Sequence, residues 1–303
     1  MLKLKRTNST GFKGKLLNLN RIINEVSSEQ NVIKIANSIS YNNEKNDKYF
    51  WEFDNEPDIW ISLLIPCHNT KREFIEDCSK SLKEQVGNFG IELVWINDCS
   101  NEENTNTQLE LLKELELLKN LKLVYNRTKI NRGISFCLHQ GVLLCSNELI
   151  LRMDSDDIMV NDRIQKQINY MKNNPNCVLC GSNIISFEMI NGVKSEIQRT
   201  NHKNILYWNE YKLDPKDWFL NHPTLCFKKS AILRVGNYRK NFRVPFEDLE
   251  LELRVLKVFG SVHNISEYLV LYRTHENQIT TKQGGKDLNK QLKEALIREI
   301  LKN

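Results

Sequence analysis

The sequence lacks long apolar runs, since none reaches the roughly 18 residues with which a helix crosses a bilayer. Its start also lacks a charged segment followed by an apolar stretch, which is the pattern of a secretory leader. We therefore expect no transmembrane segment and no signal peptide.

Disulfide-type spacing is absent as well, although the chain contains eight cysteines. Most of them lie in apolar runs, and the C-x-x-C segment Cys177–Cys180 has no second pair that would complete a zinc site. The two residues between these cysteines are apolar and strand-forming, so a buried strand is favoured over a metal or redox site. Free cysteines are typical of a reducing compartment, and we therefore expect a cytoplasmic protein.

A strong charge imbalance is also missing, because 43 basic and 38 acidic residues leave a net charge of +5. This excess is too small to indicate nucleic-acid binding, and we expect no nucleic acid among the partners. The excess is concentrated before Glu25, the first acidic residue. Such a basic arm suits peripheral contact with a membrane or an acidic partner, but a solvated terminus is the simpler explanation.

From residue 58 onward, apolar runs alternate with segments of helical spacing. Strands are predicted at 60–65, 91–96, 121–125 and 149–153, and helices at 74–86, 105–118, 134–145 and 164–171. This alternation predicts an α/β fold with a Rossmann-like, mostly parallel sheet flanked by helices. We divide the chain into a polar, basic extension (1–57), a first half (58–160), a second half (161–282) and a C-terminal helix (283–303).

The second half has a less regular pattern. Strand-type runs at 178–187 and 193–198 flank Asn191-Gly192, a dipeptide typical of hairpin turns. The final segment, 287–301, repeats leucine or isoleucine at steps of four and is predicted to form an amphipathic helix. Packing of this helix on its own domain is favoured over an oligomer contact or a membrane contact.

Polar residues follow three of the predicted parallel strands. The first strand leads into Pro66-Cys67-His68-Asn69, the second into Asn97-Asp98, and the fourth into Asp154-Ser155-Asp156-Asp157. Because ligands of open parallel sheets bind beyond the carboxyl ends of the strands, these segments together predict a site.

The acidic segment is the best candidate for chemistry. Its three carboxylates repel one another, and a divalent cation would remove that cost. All-oxygen ligands favour hard ions, so we expect Mn²⁺ or Mg²⁺. A polar turn without metal is the alternative, since Asp and Ser are good turn formers.

Other polar residues also have two interpretations. Asp98 suits recognition of a base N–H group, but Asn-Asp is common in turns. Glu247 and Asp248 suit acid–base chemistry, but they also complement the dipole of the helix they begin. For His222 and His275, an ordinary hydrogen-bonding role is the default.

The order of these segments resembles that of the family 2 glycosyltransferases with the GT-A fold, over residues 59–280. The matching segments are Ile61–Asn69, Val94–Ser100, Asn131 with Gly133 and Gly141, Arg152–Asp157, His222–Thr224 with Val235–Tyr238, Glu247-Asp248, and Tyr272–His275. The sequence departs from the family at Cys99, where glycine is usual, at Leu138-His139, where Arg and Asn are usual, and at Glu250, where Asp is usual.

The resemblance implies an inverting transfer of a hexose or N-acetylhexosamine from a UDP-sugar to a hydroxyl of a glycan or glycoconjugate. The first half would bind the nucleotide sugar and the second half the acceptor. The implied nucleotide-sugar-binding residues are Pro66, His68, Asn69, Asp98, Asn131, Gly133, Asp154 and Ser155. The implied metal ligands are Asp154, Asp156 and His275, and the acidic pair is Glu247 with Asp248 as general base. His222 and the aromatic Trp218 are acceptor candidates.

Two other activities stay open as alternatives. A GT-A-like nucleotidyltransferase would need a glycine-rich, basic loop after the first strand to hold a triphosphate, and residues 66–73 contain no glycine. A non-catalytic module that only binds a nucleotide sugar would have no need of the acidic motifs.

Overall fold

The computed structural model describes residues 33–35, 56–190, 192–215, 218–240, 246–276, 278 and 286–302. Most of the basic extension, Asn191 and the Gly284-Gly285 pair lie outside the described residues. The description below is therefore of the folded unit that follows residue 56, together with one short strand that precedes it.

The strands are β1 (Ile33–Ile35), β2 (Trp60–Cys67), β3 (Gly90–Asn97), β4 (Leu121–Arg127), β5 (Leu149–Arg152), β6 (Ile158–Met159), β7 (Leu179–Ile190), β8 (Val193–Arg199), β9 (Ile205–Tyr207), β10 (Cys226–Lys228) and β11 (Ser261–Arg273). The helices are α1 (Arg72–Lys83), α2 (Glu102–Leu115), α3 (Ile134–Leu144), α4 (Arg163–Asn173), α5 (Trp208–Leu213), α6 (Lys229–Arg234), α7 (Glu247–Phe259) and α8 (Lys286–Lys302), with a short 3₁₀ turn at His222–Thr224.

These strands form a single twisted sheet in the order β1-β4-β3-β2-β5-β10-β7-β11-β6. The neighbours β4, β3, β2 and β5 run parallel, and β7 and β11 form a second parallel pair. Between these two groups, β10 runs antiparallel to both β5 and β7. The predicted α/β architecture is confirmed, with antiparallel strands added beside its parallel centre.

The core lies on both faces of the sheet because the central strands are apolar in consecutive positions. In β2, Leu63 packs into the cluster on the face of α1, α2 and α4, while Leu64 packs into the cluster beneath α3, α7 and α8. Both leucines are fully buried. A strand covered on both faces has no need of polar alternation, which explains its unbroken apolar sequence.

Strand pairing crosses the boundaries that the sequence predicts. Strand β1 lies within the 1–57 extension and pairs antiparallel with β4, so these residues belong to the sheet. The two predicted halves share that sheet, as halves of one domain would, because β5 of the first half pairs with β10 and β6 pairs with β11. The second half therefore completes the sheet that the first half begins.

The C-terminal helix α8 packs against the rest of the chain. Leu296, Ile297 and Ile300 are buried in the same cluster as the apolar face of α7. Lys257 of α7 donates a 2.7 Å hydrogen bond to the backbone carbonyl of Ile300. This packing within the chain agrees with the interpretation favoured from the sequence, and it covers the face that an oligomer contact would use.

The C-x-x-C segment is buried as expected. Cys177 and Cys180 are fully enclosed, and Cys180 lies opposite Cys226 on the neighbouring strand β10. All eight cysteines are free thiols. In the described ranges, no helix combines the length and the apolar character that crossing a membrane requires.

Gly141 sets the distance between α3 and the sheet, because a Cβ built on it would overlap the buried side chain of Leu64. We predict that Gly141→Ala lowers the free energy of unfolding by about 1–3 kcal/mol through overpacking. Urea denaturation measures this change, with Leu64→Ala and the double variant completing a cycle. The double variant should lose less than the sum of the two single changes, and a stabilised Gly141→Ala protein would contradict the close packing.

Candidate functional site

The carboxyl ends of β2 and β3 lie side by side, since Cys67 pairs with Asn97. The next residues of the two strands are consequently neighbours, and the ring nitrogen Nδ1 of His68 lies 2.7 Å from the backbone oxygen of Asp98. Asn69 donates its backbone N–H to the hydroxyl of Ser100 at 3.0 Å. The predicted nucleotide-binding segments therefore meet at one edge of the sheet, where His68 and Asn69 are exposed to solvent.

The two turns at this edge adopt left-handed backbone conformations. Asn69 has φ 50° and Cys99 has φ 55°. Asparagine tolerates this region well, whereas cysteine carries a steric cost there. At this position glycine is usual in the family that the sequence resembles. Cys99 thus adopts the left-handed backbone conformation that glycine would adopt there.

Asp98 is buried and is bonded to the loop that follows β4. Its carboxylate accepts hydrogen bonds from the Thr128 hydroxyl and the Arg132 backbone N–H, both at 2.9 Å, and from the Gly133 backbone N–H at 2.7 Å. Gly133, with φ 84°, caps the start of α3, and the neighbouring Asn131 is exposed. Asp98 therefore fixes the loop that carries Asn131 and Gly133, and its predicted contact with uracil stays a prediction.

Behind this edge, Ser155 is buried, and its hydroxyl lies 2.7 Å from the hydroxyl of Thr70. This contact ties the loop after β5 to the loop after β2. Pro66 is buried within β2. Of the predicted nucleotide-binding residues, these two lie under the surface of the site and support it.

Three carboxylates gather where β5 ends. One oxygen from each of Asp154, Asp156 and Asp157 lies within 4.8 Å of the others. Burial, together with the charges of Asp156 and Asp154, raises the pKa of Asp157 well above its usual range. The cluster is thus electrostatically costly as it stands, and a cation would relieve that cost.

Arg152 neutralises one member of the cluster. Its guanidinium donates to both oxygens of Asp154, at 2.7 and 2.5 Å, in a bidentate pair. Arg152 is charged but only 1% exposed, because it lies on the central strand β5. Burial raises the pKa of Asp154, and the positive charge of Arg152 opposes that rise.

Arg273 at the end of β11 holds the rest of the loop. Its backbone N–H donates to Asp157 at 2.9 Å, its side-chain Nε donates to the carbonyl of Asp156 at 2.8 Å, and Nη2 donates to Asp77 at 2.6 Å. Its guanidinium also lies over the ring of Phe74 at 4.3 Å. Asp157 therefore helps to hold the turn after β5 against the end of β11.

His275, two residues after Arg273, reaches the cluster directly. Its Nε2 lies 3.0 Å from Oδ2 of Asp156. Its ring packs on Phe74 with 5.0 Å between ring centres. The predicted metal ligands Asp156 and His275 are thus brought together from positions 119 residues apart in the chain.

The donor set fits a hard divalent cation. Carboxylate oxygens of Asp154 and Asp156 with one imidazole nitrogen of His275 are ligands that Mn²⁺ and Mg²⁺ accept. In the part of the chain that the structure describes, the Oδ2 atom of Asp157 is buried without a hydrogen-bond partner. This orphaned oxygen beside the other carboxylates also agrees with a site for positive charge.

The acidic pair lies at the start of α7, on the other side of Arg152. Asp248 accepts a 2.7 Å hydrogen bond from the backbone N–H of Leu249. Burial, and next the charge of Glu247, raises the pKa of Asp248 to about 7, with Arg152 acting in the opposite direction. A carboxyl group with this pKa can take up a proton near neutral pH.

His222 lies beneath this pair. Its side chain is buried, its Nε2 is 3.0 Å from the hydroxyl of Tyr238, and its Nδ1 is 3.8 Å from Glu247. Burial, with the positive charge of Arg152, lowers the pKa of His222 well below its usual range, so its ring is neutral. The neutral ring of His222 thus lies inside the fold close to Glu247, and its predicted contact with an acceptor stays a prediction.

Trp218 is the acceptor candidate at the surface. Its side chain is 45% exposed, and its ring lies 6.3 Å from that of Phe246, the residue before Glu247. Phe246 itself has φ 137°, a strained conformation for a bulky residue that places it at the start of α7. An exposed tryptophan beside the acidic pair is available to a ligand.

Sequence reasoning gave no role to Arg152 or Arg273, which organise the site. A charged residue at the end of an otherwise apolar strand was the available indication for Arg152, because such a charge is buried only when it is paired. Arg273 likewise follows a short apolar segment, Leu269–Tyr272, at the end of β11, and it is 2% exposed.

Comparisons with known proteins agree with this geometry. The family model described as glycosyl transferase family 2 matches residues 62–238. The amylovoran biosynthesis glycosyltransferase AmsE of Erwinia amylovora is 26% identical over 225 residues, which cover 74% of this chain and 80% of that protein. The O-antigen biosynthesis glycosyltransferase WbnJ of Escherichia coli is 35% identical over 153 residues, covering 50% of this chain and 57% of the relative.

A further relative and a solved structure extend the comparison. The E. coli UDP-Gal:alpha-D-GlcNAc-diphosphoundecaprenol beta-1,3-galactosyltransferase is 30% identical over 155 residues, covering 51% of this chain and 54% of the relative. S. aureus TarS 1–349 in complex with UDP-GlcNAc superposes with a TM-score of 0.59 at 15% identity, covering 79% of this chain and 65% of that chain. The match thus spans just over half of each of the two E. coli relatives.

The superposition confirms the GT-A fold that the sequence motifs predicted. The family model covers more than half of the chain and includes both the edge around Asp98 and the carboxylates that follow β5. These two relatives are named as glycosyltransferases of amylovoran biosynthesis and of O-antigen biosynthesis. The chain belongs to glycosyl transferase family 2.

Proposed function

We propose that this glycosyltransferase transfers a hexose or N-acetylhexosamine from a UDP-sugar to a hydroxyl of a glycan or glycoconjugate, with inversion and with Mn²⁺ or Mg²⁺. One observation carries the proposal. A carboxylate cluster with a histidine partner lies beside a second acidic pair, and the carboxyl group of Asp248 in that pair has a pKa of about 7.

The donor assignment is supported by the exposed edge formed by His68, Asn69 and the loop that Asp98 holds. In this proposal, the edge takes the uracil and ribose. A diphosphate then extends toward Asp154 and Asp156. The names of two similar proteins, a complex of TarS with UDP-GlcNAc and a galactosyltransferase that uses UDP-Gal, point to the same class of donor.

Asp154, Asp156 and His275 would hold the divalent cation, whose positive charge offsets the negative charge of the departing diphosphate. Arg152 keeps the Asp154 carboxylate ionised and oriented through its two hydrogen bonds. Arg273 fixes the backbone of Asp156, so that the ligand set keeps its shape.

Asp248 acts as general base in this proposal. Its carboxylate accepts the proton of the acceptor hydroxyl, while the acceptor oxygen forms its bond to the anomeric carbon and the bond to the diphosphate breaks. A single displacement of this kind inverts the anomeric configuration. Transfer of a proton to a positioned base contributes about 10²–10⁴ in rate.

The acceptor class follows from the surface near the base. Trp218 offers an exposed aromatic face next to Phe246, and aromatic faces stack well on sugar rings. We assign the acceptor as a glycan or glycoconjugate on this basis. A reducing, cytoplasmic location belongs to the same proposal, because all eight cysteines are free.

The first prediction concerns the donor and the cation. A panel of UDP-sugars, assayed by UDP release with and without Mn²⁺, should show release that requires the ion. Asp156→Ala should abolish both metal-dependent UDP binding and release, because it removes the carboxylate paired with His275. Glu110→Ala, which changes a surface carboxylate paired with Arg72, is the matched control and should retain both. Normal UDP binding by Asp156→Ala would show that the cation is held elsewhere.

The second prediction concerns the base. Asp248→Asn should bind UDP with unchanged affinity but lose transfer by about 10²–10⁴, since the amide accepts no proton. The ionised form of Asp248 is the active one, so transfer by the unmodified enzyme should rise with pH through about 7 and then level off. Rates over a range of pH with UDP binding by calorimetry measure both effects. Full transfer by the Asn variant would move the base to another residue.

The third prediction concerns the acceptor. Trp218→Ala should raise the KM for a carbohydrate acceptor about 10-fold and leave the KM for the UDP-sugar unchanged, since an aromatic contact is worth about 1 kcal/mol or slightly more. Initial rates with each substrate varied in turn separate the two effects. Trp218→Phe keeps an aromatic face and should retain most of the affinity. A change confined to the donor KM would contradict the acceptor role.

A further inference from the structure

Glu252 on α7 is buried without a partner. Its side chain is 1% exposed. Among the described residues, neither of its carboxylate oxygens has a hydrogen-bond partner. Burial of an unpaired carboxyl group is strongly unfavourable, and an apolar side chain of similar size would be more stable there. Because this buried carboxyl group destabilises the fold, we expect a role of Glu252 other than folding.

Glu250 on the same helix shows what a satisfied buried carboxylate looks like here. It is also 1% exposed, but it accepts from Arg254 at 2.7 and 2.6 Å and lies 2.7 Å from Arg239. The unpaired state is therefore peculiar to Glu252 and is not a general property of acidic residues on α7.

The position of Glu252 relates it to the base. It follows Asp248 by four residues, so the two side chains share one face of the helix with their Cβ atoms about 5–6 Å apart. The negative charge of Asp248 is, after burial, the next cause of the raised pKa of Glu252, which agrees with two carboxyl groups that lie close together.

Several charged or titratable groups face this pair. Glu247 is the acidic neighbour on α7, and Arg152 approaches from β5. Two neutral groups complete the surroundings, the buried ring of His222 and the hydroxyl of Tyr238, which are bonded to each other. Arg152 is engaged with Asp154 through both of its terminal nitrogens.

The two carboxyl groups differ in burial and in partners. Glu252 is 1% exposed, and among the described residues neither of its oxygens has a partner, whereas Asp248 is partly exposed and accepts the backbone N–H of Leu249. Burial, and next the negative charges of Asp248 and Glu247, raise the pKa of Glu252 well above its usual range. A carboxyl group so deeply buried without a partner is favoured in its neutral form, and a neutral Glu252 is a hydrogen-bond donor.

We propose that Glu252 is a positioning residue whose neutral carboxyl group donates a hydrogen bond to the ionised carboxylate of Asp248, orienting the base and stabilising its charged form. The inference rests on the proposed function, in which Asp248 is the base. During transfer the acceptor proton goes to Asp248, and Glu252 keeps its own proton throughout. A buried acid kept neutral in order to donate a hydrogen bond is a known device of active sites.

A matched pair of variants tests this role. Gln and Met have nearly the length of Glu, but only Gln retains a donor. Glu252→Gln should keep the rise of transfer with pH where it is in the unmodified enzyme. Glu252→Met should move that rise upward by about one pH unit, because the ionised base loses a hydrogen bond. Transfer by the Met variant at pH 7 should fall several-fold and recover at higher pH.

Thermal unfolding gives an independent readout. Glu252→Met should raise the Tm by about 2–4 °C, since the cost of burying a carboxyl group exceeds the gain from its one hydrogen bond to Asp248. The gain should be larger at pH 8 than at pH 5. The raised pKa of Glu252 makes the folded state lose stability as pH rises above the ordinary range of a glutamate. Glu250→Met, which breaks the pairs with Arg254 and Arg239, should lower the Tm and leave the pH dependence in place.

The combination of higher stability and an upward shift of the pH profile supports the inference. A Met variant whose pH profile is unmoved or shifted downward overturns it, and so does a Gln variant that shifts as far as Met. Asp248→Asn separates this failure from that of the proposed function. If that variant is inactive while Glu252→Met is unshifted, only the role of Glu252 is wrong. If it transfers sugar normally, the base assignment itself is wrong.

Discussion

The bidentate pair between Arg152 and Asp154 is the contact on which the site depends. It places a full positive charge inside the fold, between the carboxylates that follow β5 and the acidic residues that begin α7. A buried pair of this kind adds little stability, because the desolvation of both ions offsets their attraction. The positive charge of Arg152 opposes the rise that burial causes in the pKa values of Asp154, Asp248 and Glu252, and loss of the arginine alone would leave several carboxyl groups buried and uncompensated.

The two parts of the sheet both contribute to the site. The parallel strands β2, β3 and β5 end at one edge and supply the groups to which the proposed function assigns the nucleotide. The segment after β11 brings His275 to Asp156 from the second half of the chain. The family model, which ends at residue 238, includes the carboxylates after β5, and the acidic pair of α7 lies beyond its match.

Much of this organisation could be predicted from the sequence. The continuous apolar runs of β2 and β3 predicted the central strands of the sheet correctly. A strand buried on both faces is apolar at consecutive positions, and this pattern is visible in the local sequence alone. Contacts between distant segments could not be predicted in this way. Three residues for which the sequence predicts ligand contacts, Asp98, Ser155 and His222, also bond to other segments of the protein, and their contacts with a ligand stay predictions. Strand β1 and the roles of Arg152 and Arg273 were missed for the same reason, since each depends on pairing across the fold.

The three aspartates after β5 show how identical side chains acquire different roles. Arg152 holds both oxygens of Asp154, and the backbone of Arg273 holds one oxygen of Asp157. In the described part of the chain, Asp156 is bonded through one side-chain oxygen only, to His275. Within the same described residues, Asp157 also has one oxygen without a partner, but it is fully buried, whereas the side chain of Asp156 is 24% exposed. Asp156 is therefore the more accessible of the two to a cation that arrives from solvent, and its role as a metal ligand stays a prediction.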